Sequence, residues 1–404
     1  MARLFHRKVR AGAAGRRHLS RRAGDWRKAH PGKLAVVHSA SAGEFEAALP
    51  IIQELKSRGI LTAATLFSPS GYYIAQKYDI PDGIFYLPFD SIRAVRSFLQ
   101  NIHPDVLVFC KHDIWPNAVW ISYDLNIPLV LANANLHEKS FRLHPLLIGF
   151  NRRVLDKFTA IFTVSVSHAE RLKKIAGNSH KIAVVGDSRF DRVVQRARSA
   201  EHNLPAEFIQ TPIFICGSVW PSEFFILEAF CELKRQFRDW RVIWVPHEPE
   251  EEELKAAEIY LDSQSMTHIR FSELAGYKAE EAILVDKVGV LPPLYRAAKI
   301  AYVGGGFKKG VHSVIEPSAF ALPVIFGPKH YVSAEAQDLL KREGGFSIQG
   351  KADFLTLLKN LMEDESRRIE CGTIAGDLVK EKAGVAGIIA DKIEELAKGI
   401  VLRD

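Results

Sequence analysis

The stretch HSASAGEFEAALPII, residues 38–52, sets a carboxylate, Glu44, directly behind five small residues, Ser39 to Gly43. An apolar run, LAVVHS at 34–39, ends there and an amphipathic pattern begins. Glu44 therefore falls in the first turn of a helix that leaves a strand. The helix dipole favours an acid at that place by about 0.3–1 kcal/mol, which by itself accounts for a glutamate. Capping, however, does not call for five small residues in a row. Those residues let a backbone turn approach a ligand closely, and a carboxylate beside a bound ligand can act as a general base.

A second group follows another apolar run, DVLVFC at 105–110, in the segment CKHDIWPN (110–117), which places Lys111, His112, Asp113 and Trp115 together. Ionisable residues in such a loop suit binding or proton transfer, and a polar loop with a packed Trp is the plainer alternative. In the second half of the chain, ICGSVWPSE (215–223) reads as a strand, a Gly217-Ser218 turn and a helix start, suited to one phosphate group. VGGGFKKGVHSVIEPSAF (303–320) is longer: Gly304, Gly305 and Gly306 permit close backbone approach, and Lys308 and Lys309 bring positive charge. A helix beginning near Ser313 carries Glu316 one turn in, where it could accept ribose hydroxyls. The segment is neither a Walker loop nor the GxGxxG fingerprint at a first strand. No Asp-x-Asp loop pair and no HExxH motif occurs, so the expectation is a metal-free departure of a leaving group, with cations and helix N-termini balancing its charge.

These residues need a scaffold that brings strand ends together. From residue 34 onward, short β-branched runs alternate with longer amphipathic segments: 34–39, 61–67, 105–110, 127–134, 160–165 and 181–186. After a polar stretch at 196–212 the pattern restarts with runs at 213–218, 241–246, 282–286, 299–306 and 323–327, then closing helices to about 400. Strands rich in Val, Ile and Leu and flanked by helices signal parallel sheets buried on both faces. Two doubly wound halves follow, with a ligand expected in the cleft between them.

The four cysteines form no CxxC pair, so neither a zinc site nor a disulfide framework is indicated, and a reducing cytoplasm fits. No run approaches the roughly 20 apolar residues of a membrane span. Charge is uneven: residues 1–30 hold ten Lys/Arg and one acid, more than the whole chain's net +7. This arm could bind anionic lipid, stay solvated, or bind nucleic acid; its two aromatics are too few for stacking on single strands.

Taken together, the motifs resemble the 3-deoxy-D-manno-octulosonic acid (Kdo) transferases of lipid A assembly, over about residues 8–400. The resemblance rests on SAGEFEAALPII, DIWPN, VVGDSRFDRV (184–193), CGSVWPSE, VPHEP (245–249), DKVGVLPPLY (286–295) and GGGFKKGVHSVIEPSAFALPVIFGP (304–328), in family order. It implies the α/β GT-B glycosyltransferase fold, two Rossmann-like doubly wound domains facing a central cleft. The segments would be a basic arm at 1–32, an acceptor domain at 33–200 and a nucleotide-sugar domain with closing helices at 201–404. It further implies an inverting, metal-independent transfer of Kdo from CMP-Kdo to a hydroxyl of a lipid A precursor, with no other cofactor. Glu44 would be the catalytic base, with Asp113 the second acidic residue. Ser41, Gly43, Lys111 and Trp115 would line the acceptor side. Gly217, Ser218, His247, Gly304, Gly305, Gly306, Lys309, His312, Ser313 and Glu316 would line the donor side.

Several positions depart from the family pattern. Lys111 and Asp113 stand where members commonly have Glu-x-Glu; Pro246-His247-Glu248 replaces Pro-Arg-His; Val288 to Leu291 replaces Met-Gly-Glu-Leu; and Ser313-Val314 stands where Asn is usual. A divergent branch is implied. Many members begin with an apolar anchor helix, for which GRRHLSRR offers only the basic segment that follows it, whether the start is shortened or not. Peripheral attachment through the arm at the cytoplasmic face of the inner membrane is the expectation. Two alternatives stay open: a GT-B-like sugar-nucleotide epimerase, and a non-catalytic membrane-associated protein of the same fold.

Overall fold

The computed structural model describes residues 2–331 and 333–399 of the 404-residue chain. Two compact units emerge, one comprising residues to Arg192 together with those from Lys382 onward, the other Val193–Glu381.

In the first unit, β1 (Leu34–Ser39), β2 (Leu61–Leu66), β3 (Gly83–Tyr86), β4 (Val106–Cys110), β5 (Leu129–Ala134), β6 (Ala160–Thr163) and β7 (Ile182–Val184) form one seven-stranded parallel sheet. Its order, β3-β2-β1-β4-β5-β6-β7, reverses direction between β1 and β4. A strand order that reverses opens a crevice at the carboxyl ends of the two strands concerned. The register sets His38 opposite Phe109, so the turn after β1 and the turn after β4 are neighbours. Both faces are covered, which is why β1 is buried from end to end. Leu34 and Val36 join one core with Phe98 and Leu107, while Ala35 and Val37 pack with Phe45, Leu49 and Ile52.

The basic segment expected as a separate arm at 1–32 is instead folded into this unit. It forms α1 (Ala2–Gly15) and α2 (Leu19–Ala29). Leu19, Ala23 and Trp26, spaced four and three residues apart, give α2 an apolar face that packs on the Ile92–Ile102 helix. Arg16 is held by the Phe67 and Leu87 carbonyls, at 2.9 and 2.7 Å, and lies over the Phe67, Tyr86 and Phe89 rings. Arg17, Arg21, Arg22 and Lys28 remain exposed.

The second unit repeats the scheme with β8 (Ile213–Val219), β9 (Arg241–Pro246), β10 (His268–Arg270), β11 (Ala282–Leu284), β12 (Ile300–Val303), β13 (Val324–Phe326) and β14 (Gly345–Ser347), again all parallel, in the order β10-β11-β9-β8-β12-β13-β14. Of the closing helices placed in this half by the sequence, Lys351–Glu363 stays with it. The last helix, Val385–Lys398, does not: Ile389 and Ile393 complete the core beside Phe45, Leu49 and Ile52 of the first unit. Asp191 fixes its start by accepting hydrogen bonds from the Gly384 and Ala386 amides, at 2.6 and 3.2 Å. The expected boundary at 200/201 is therefore crossed twice by the chain, near 192 and near 382.

Candidate functional site

In the first unit, α3 (Ala42–Ser57) starts from Ser41, whose Oγ accepts the Glu44 amide at 3.4 Å. Glu44 Oε2 in turn accepts the Ala40 amide at 2.7 Å. This pinning of Glu44 to the start of α3 fits the plain reading of a first-turn acid. It occupies one carboxylate oxygen and leaves Oε1 without a hydrogen bond among the described residues. Glu44 is only 7% exposed. Burial pushes its carboxyl above the ordinary value, Asp113 adds to the rise, and the Ala40 amide, His112 and Lys111 oppose it. A carboxylate that is partly desolvated and holds one free oxygen is the kind of group that can take a proton from a neighbouring hydroxyl.

The β4 turn supplies the neighbours. Lys111 adopts φ +66°, its amide bonds the Ala132 carbonyl at 2.8 Å, and its Nζ reaches the Gly43 carbonyl at 3.5 Å. Gly43 itself has open space where a Cβ would stand, so packing does not require it. His112 is exposed and bonds Asn135 at 3.0 Å. Trp115, expected on the acceptor side, is half-buried: its ring stacks on Phe67 at 4.4 Å, and its Nε1 has no partner among the described residues. His38, next to the last residue of β1, is a core residue. Its Nδ1 donates to the Thr65 carbonyl at 3.1 Å, and burial pushes its pKa down to about 3. Within VVGDSRFDRV, Ser188 is bonded to Asn133 of β5, and both donate to the Ala47 carbonyl, so this motif braces α3.

In the second unit the turns after β8, β9 and β12 meet. Ser218 stands at φ +55°, half-buried. The glycines after β12 answer packing first: a Cβ on Gly304 would lie 2.2 Å from the Ser218 carbonyl oxygen, and Gly306 abuts the Gly327 backbone. The amides of this loop are partly taken as well. Glu223, fully buried and passed over in the sequence, accepts the Gly305 amide at 2.9 Å, the Phe307 amide at 3.4 Å, the Tyr302 hydroxyl at 3.0 Å and the Trp220 amide at 3.0 Å. The close backbone approach that the sequence reading expected at these glycines is thus met, at Gly305, by a protein carboxylate. Its signal was the WPSE spacing, a first-turn acid just after a strand.

What faces outward is a stack. His247 lies on His312 at 4.3 Å and beside Trp220 at 4.4 Å, and the Trp220 indole N–H donates to His312 Nε2 at 3.0 Å. That bond puts the ring proton on His312 Nδ1, and burial, with His247 adding, pushes its pKa down to about 4. At neutral pH it is an uncharged donor. Lys308 Nζ lies 3.5 Å from the centre of the Trp220 ring. Ser313 is exposed, and Glu316 is half-buried, 3.7 Å from Arg196. The sequence-derived donor residues therefore share one edge of the second sheet, and the acceptor residues share one edge of the first.

The family described as 3-deoxy-D-manno-octulosonic-acid transferase (kdotransferase) matches residues 17–192. The chain is 29% identical over 371 residues to the 3-deoxy-D-manno-octulosonic acid transferase of Aquifex aeolicus, covering 90% of this chain and 94% of that one. It is 26% identical to the transferase of the same name from Chlamydophila psittaci, covering 83% and 79%. Among solved structures, the UDP-GlcNAc 2-epimerase from Neisseria meningitidis bound to UDP-GlcNAc superposes with a TM-score of 0.62 at 14% identity, over 90% of this chain and all of that one. At that identity the likeness speaks for the fold alone, the one that GT-B glycosyltransferases and such epimerases share.

Proposed function

We propose that this chain is a divergent Kdo transferase that moves Kdo from CMP-Kdo to a hydroxyl of a lipid A precursor, with inversion and without a metal ion, a reading supported by the family match over residues 17–192 and by relatives 26–29% identical over most of the chain. The observation that carries this reading is Glu44: buried, raised in pKa and holding one free carboxylate oxygen at the end of β1.

In the proposed step the acceptor oxygen attacks the anomeric carbon of Kdo. The bond from that carbon to the CMP phosphate oxygen breaks, and CMP leaves with the electron pair. The hydroxyl proton passes to Glu44 Oε1, with Asp113 helping to keep the Glu44 pKa high. Neutral His312, Lys308, Lys309 and the Ser218 and Ser313 hydroxyls provide donors and charge for the departing phosphate, the kind of fixed electrostatic support that stabilises developing charge. Glu316 takes the ribose hydroxyls, and the exposed cations of α2 hold the protein peripherally at an anionic membrane surface.

Incubation with CMP-Kdo and a lipid A precursor in excess chelator tests the metal-free claim. Turnover is expected to match that in magnesium; loss in chelator with recovery on adding magnesium overturns it. On the donor side, Glu316→Gln should weaken CMP binding about tenfold in calorimetry, the worth of a hydrogen bond to a charged group. Unchanged affinity removes Glu316 from the ribose.

A further inference from the structure

Residues 141–150, FRLHPLLIGF, form a 3₁₀ turn at Phe141–Leu143 and the first part of the Pro145–Leu155 helix. The helix is tethered by its far end, where Val154 and Leu155 enter the core. Its near end is turned to solvent: Phe141 is 78% exposed and Leu146 86%, with Phe150 also exposed. An apolar patch of this kind marks an interaction site more often than a bare surface.

Beneath it lies a cavity of about 150 Å³ lined by Ile114, Leu136, Phe150, Val154, Leu172 and Arg142. Arg142 is the anomaly. Its backbone is fixed, the amide by Ser140 Oγ at 3.4 Å and the carbonyl by the Asn151 side chain at 3.1 Å. Its half-buried guanidinium, however, has no hydrogen bond and no ion pair among the described residues. Ile114, in the turn after β4 that also carries Asp113, lines the same cavity, so Arg142 belongs to the same edge of the sheet; among the described residues Asp113 is the acid whose charge reaches it. A partly desolvated guanidinium among apolar side chains calls for an oxyanion, and its planar fork matches a phosphate. Exposed Lys139, Arg152 and Arg153 add positive charge around the patch.

We propose that Arg142 and the apolar knuckle of Phe141, Leu146 and Phe150 form one subsite for a phosphorylated lipid, the guanidinium taking a phosphomonoester and the knuckle and cavity taking the adjoining acyl chain. The inference rests on the reading of the acceptor as a lipid and names how this chain would grip it.

The test uses the full chain and sedimentation with phosphatidylcholine vesicles carrying either phosphatidic acid, a phosphomonoester, or phosphatidylglycerol, a phosphodiester, at matched surface charge. The wild type is expected to prefer phosphatidic acid about tenfold, the worth of a charge-assisted hydrogen bond. Arg142→Gln should abolish that preference while keeping the general attraction to phosphatidylglycerol. Leu146→Ser with Phe150→Ser, both solvent-exposed positions, should weaken binding to both vesicles. Inorganic phosphate at equal concentration should displace neither. Retained preference in Arg142→Gln overturns the proposal, and so does displacement by inorganic phosphate, which would make the site one for a free ion. No Kdo donor is present, so failed transfer chemistry leaves these results standing. Conversely, a lost preference leaves turnover on detergent-dispersed acceptor to be judged separately.

Discussion

Glu44→Gln lowers transfer by about 10²–10⁴-fold, the range over which a positioned general base acts, while CMP-Kdo binding stays within about threefold. The amide keeps the size of the side chain and can still accept the Ala40 amide, so the cap of α3 survives. What is lost is the free oxygen able to take a proton. The pH profile separates this from a structural effect. Burial holds the wild-type carboxyl above the ordinary 4.5, and the base is the ionised form, so the acceptor rate falls as pH drops through a value above 4.5. In the variant that acid limb disappears. Stability runs in the opposite sense: a carboxyl with a raised folded pKa contributes stability below its unfolded value, and that contribution is lost as pH rises through the folded one. The uncharged variant is therefore expected to be at least as stable as wild type near neutrality. Activity above about a tenth of wild type, with the acid limb intact, removes Glu44 from the role of base.

Glu223→Gln has the second largest effect, and on a different quantity. Four donors converge on this one carboxylate: the Trp220, Gly305 and Phe307 amides and the Tyr302 hydroxyl. Gln offers one acceptor oxygen and turns an NH₂ group against donors, leaving buried groups unsatisfied at a cost of about 3 kcal/mol. Urea unfolding should show that loss. CMP affinity should fall with it, because Trp220 and the loop that carries His312 are set by the same carboxylate. An unchanged unfolding midpoint would show the four contacts to be dispensable.

How far such roles could be read beforehand differed from element to element. LAVVHS gave β1 with its actual limits, Leu34 to Ser39, because an unbroken apolar run bounded by small residues leaves no other register. GIFY and HIR, which became β3 and β10, are too short and too closely flanked by Pro, Gly or polar residues to stand out, and only pairing with a neighbouring strand makes them strands. The arm was misjudged because its arginines hide the Leu19, Ala23, Trp26 stripe. That spacing was present in the sequence, but its partner, the Ile92–Ile102 helix, lies some seventy residues on. Glu44 was legible as the first-turn acid of α3 because the apolar run of β1 ends just before it; of its small neighbours, Ser41 serves as the N-cap while Gly43 has open space where a Cβ would stand. The triple glycine was legible as close approach but not as approach to what. The carboxylate that answers Gly305 is 82 residues away in sequence, and Gly304 is small for the sake of the Ser218 carbonyl. Arg142 could not be singled out at all, since an unpaired arginine is a property of its surroundings.

The most direct measurement is to weigh the lipid. Purified protein is incubated with CMP-Kdo and a lipid A precursor, the lipid is extracted, and its mass is compared with that of the starting precursor, alongside the CMP released. The account predicts a precursor heavier by whole Kdo residues, one CMP freed for each residue added, and no gain with Glu44→Gln on the same timescale. CMP released while the lipid mass stays unchanged would contradict it, because the sugar would then be leaving its nucleotide without reaching the acceptor.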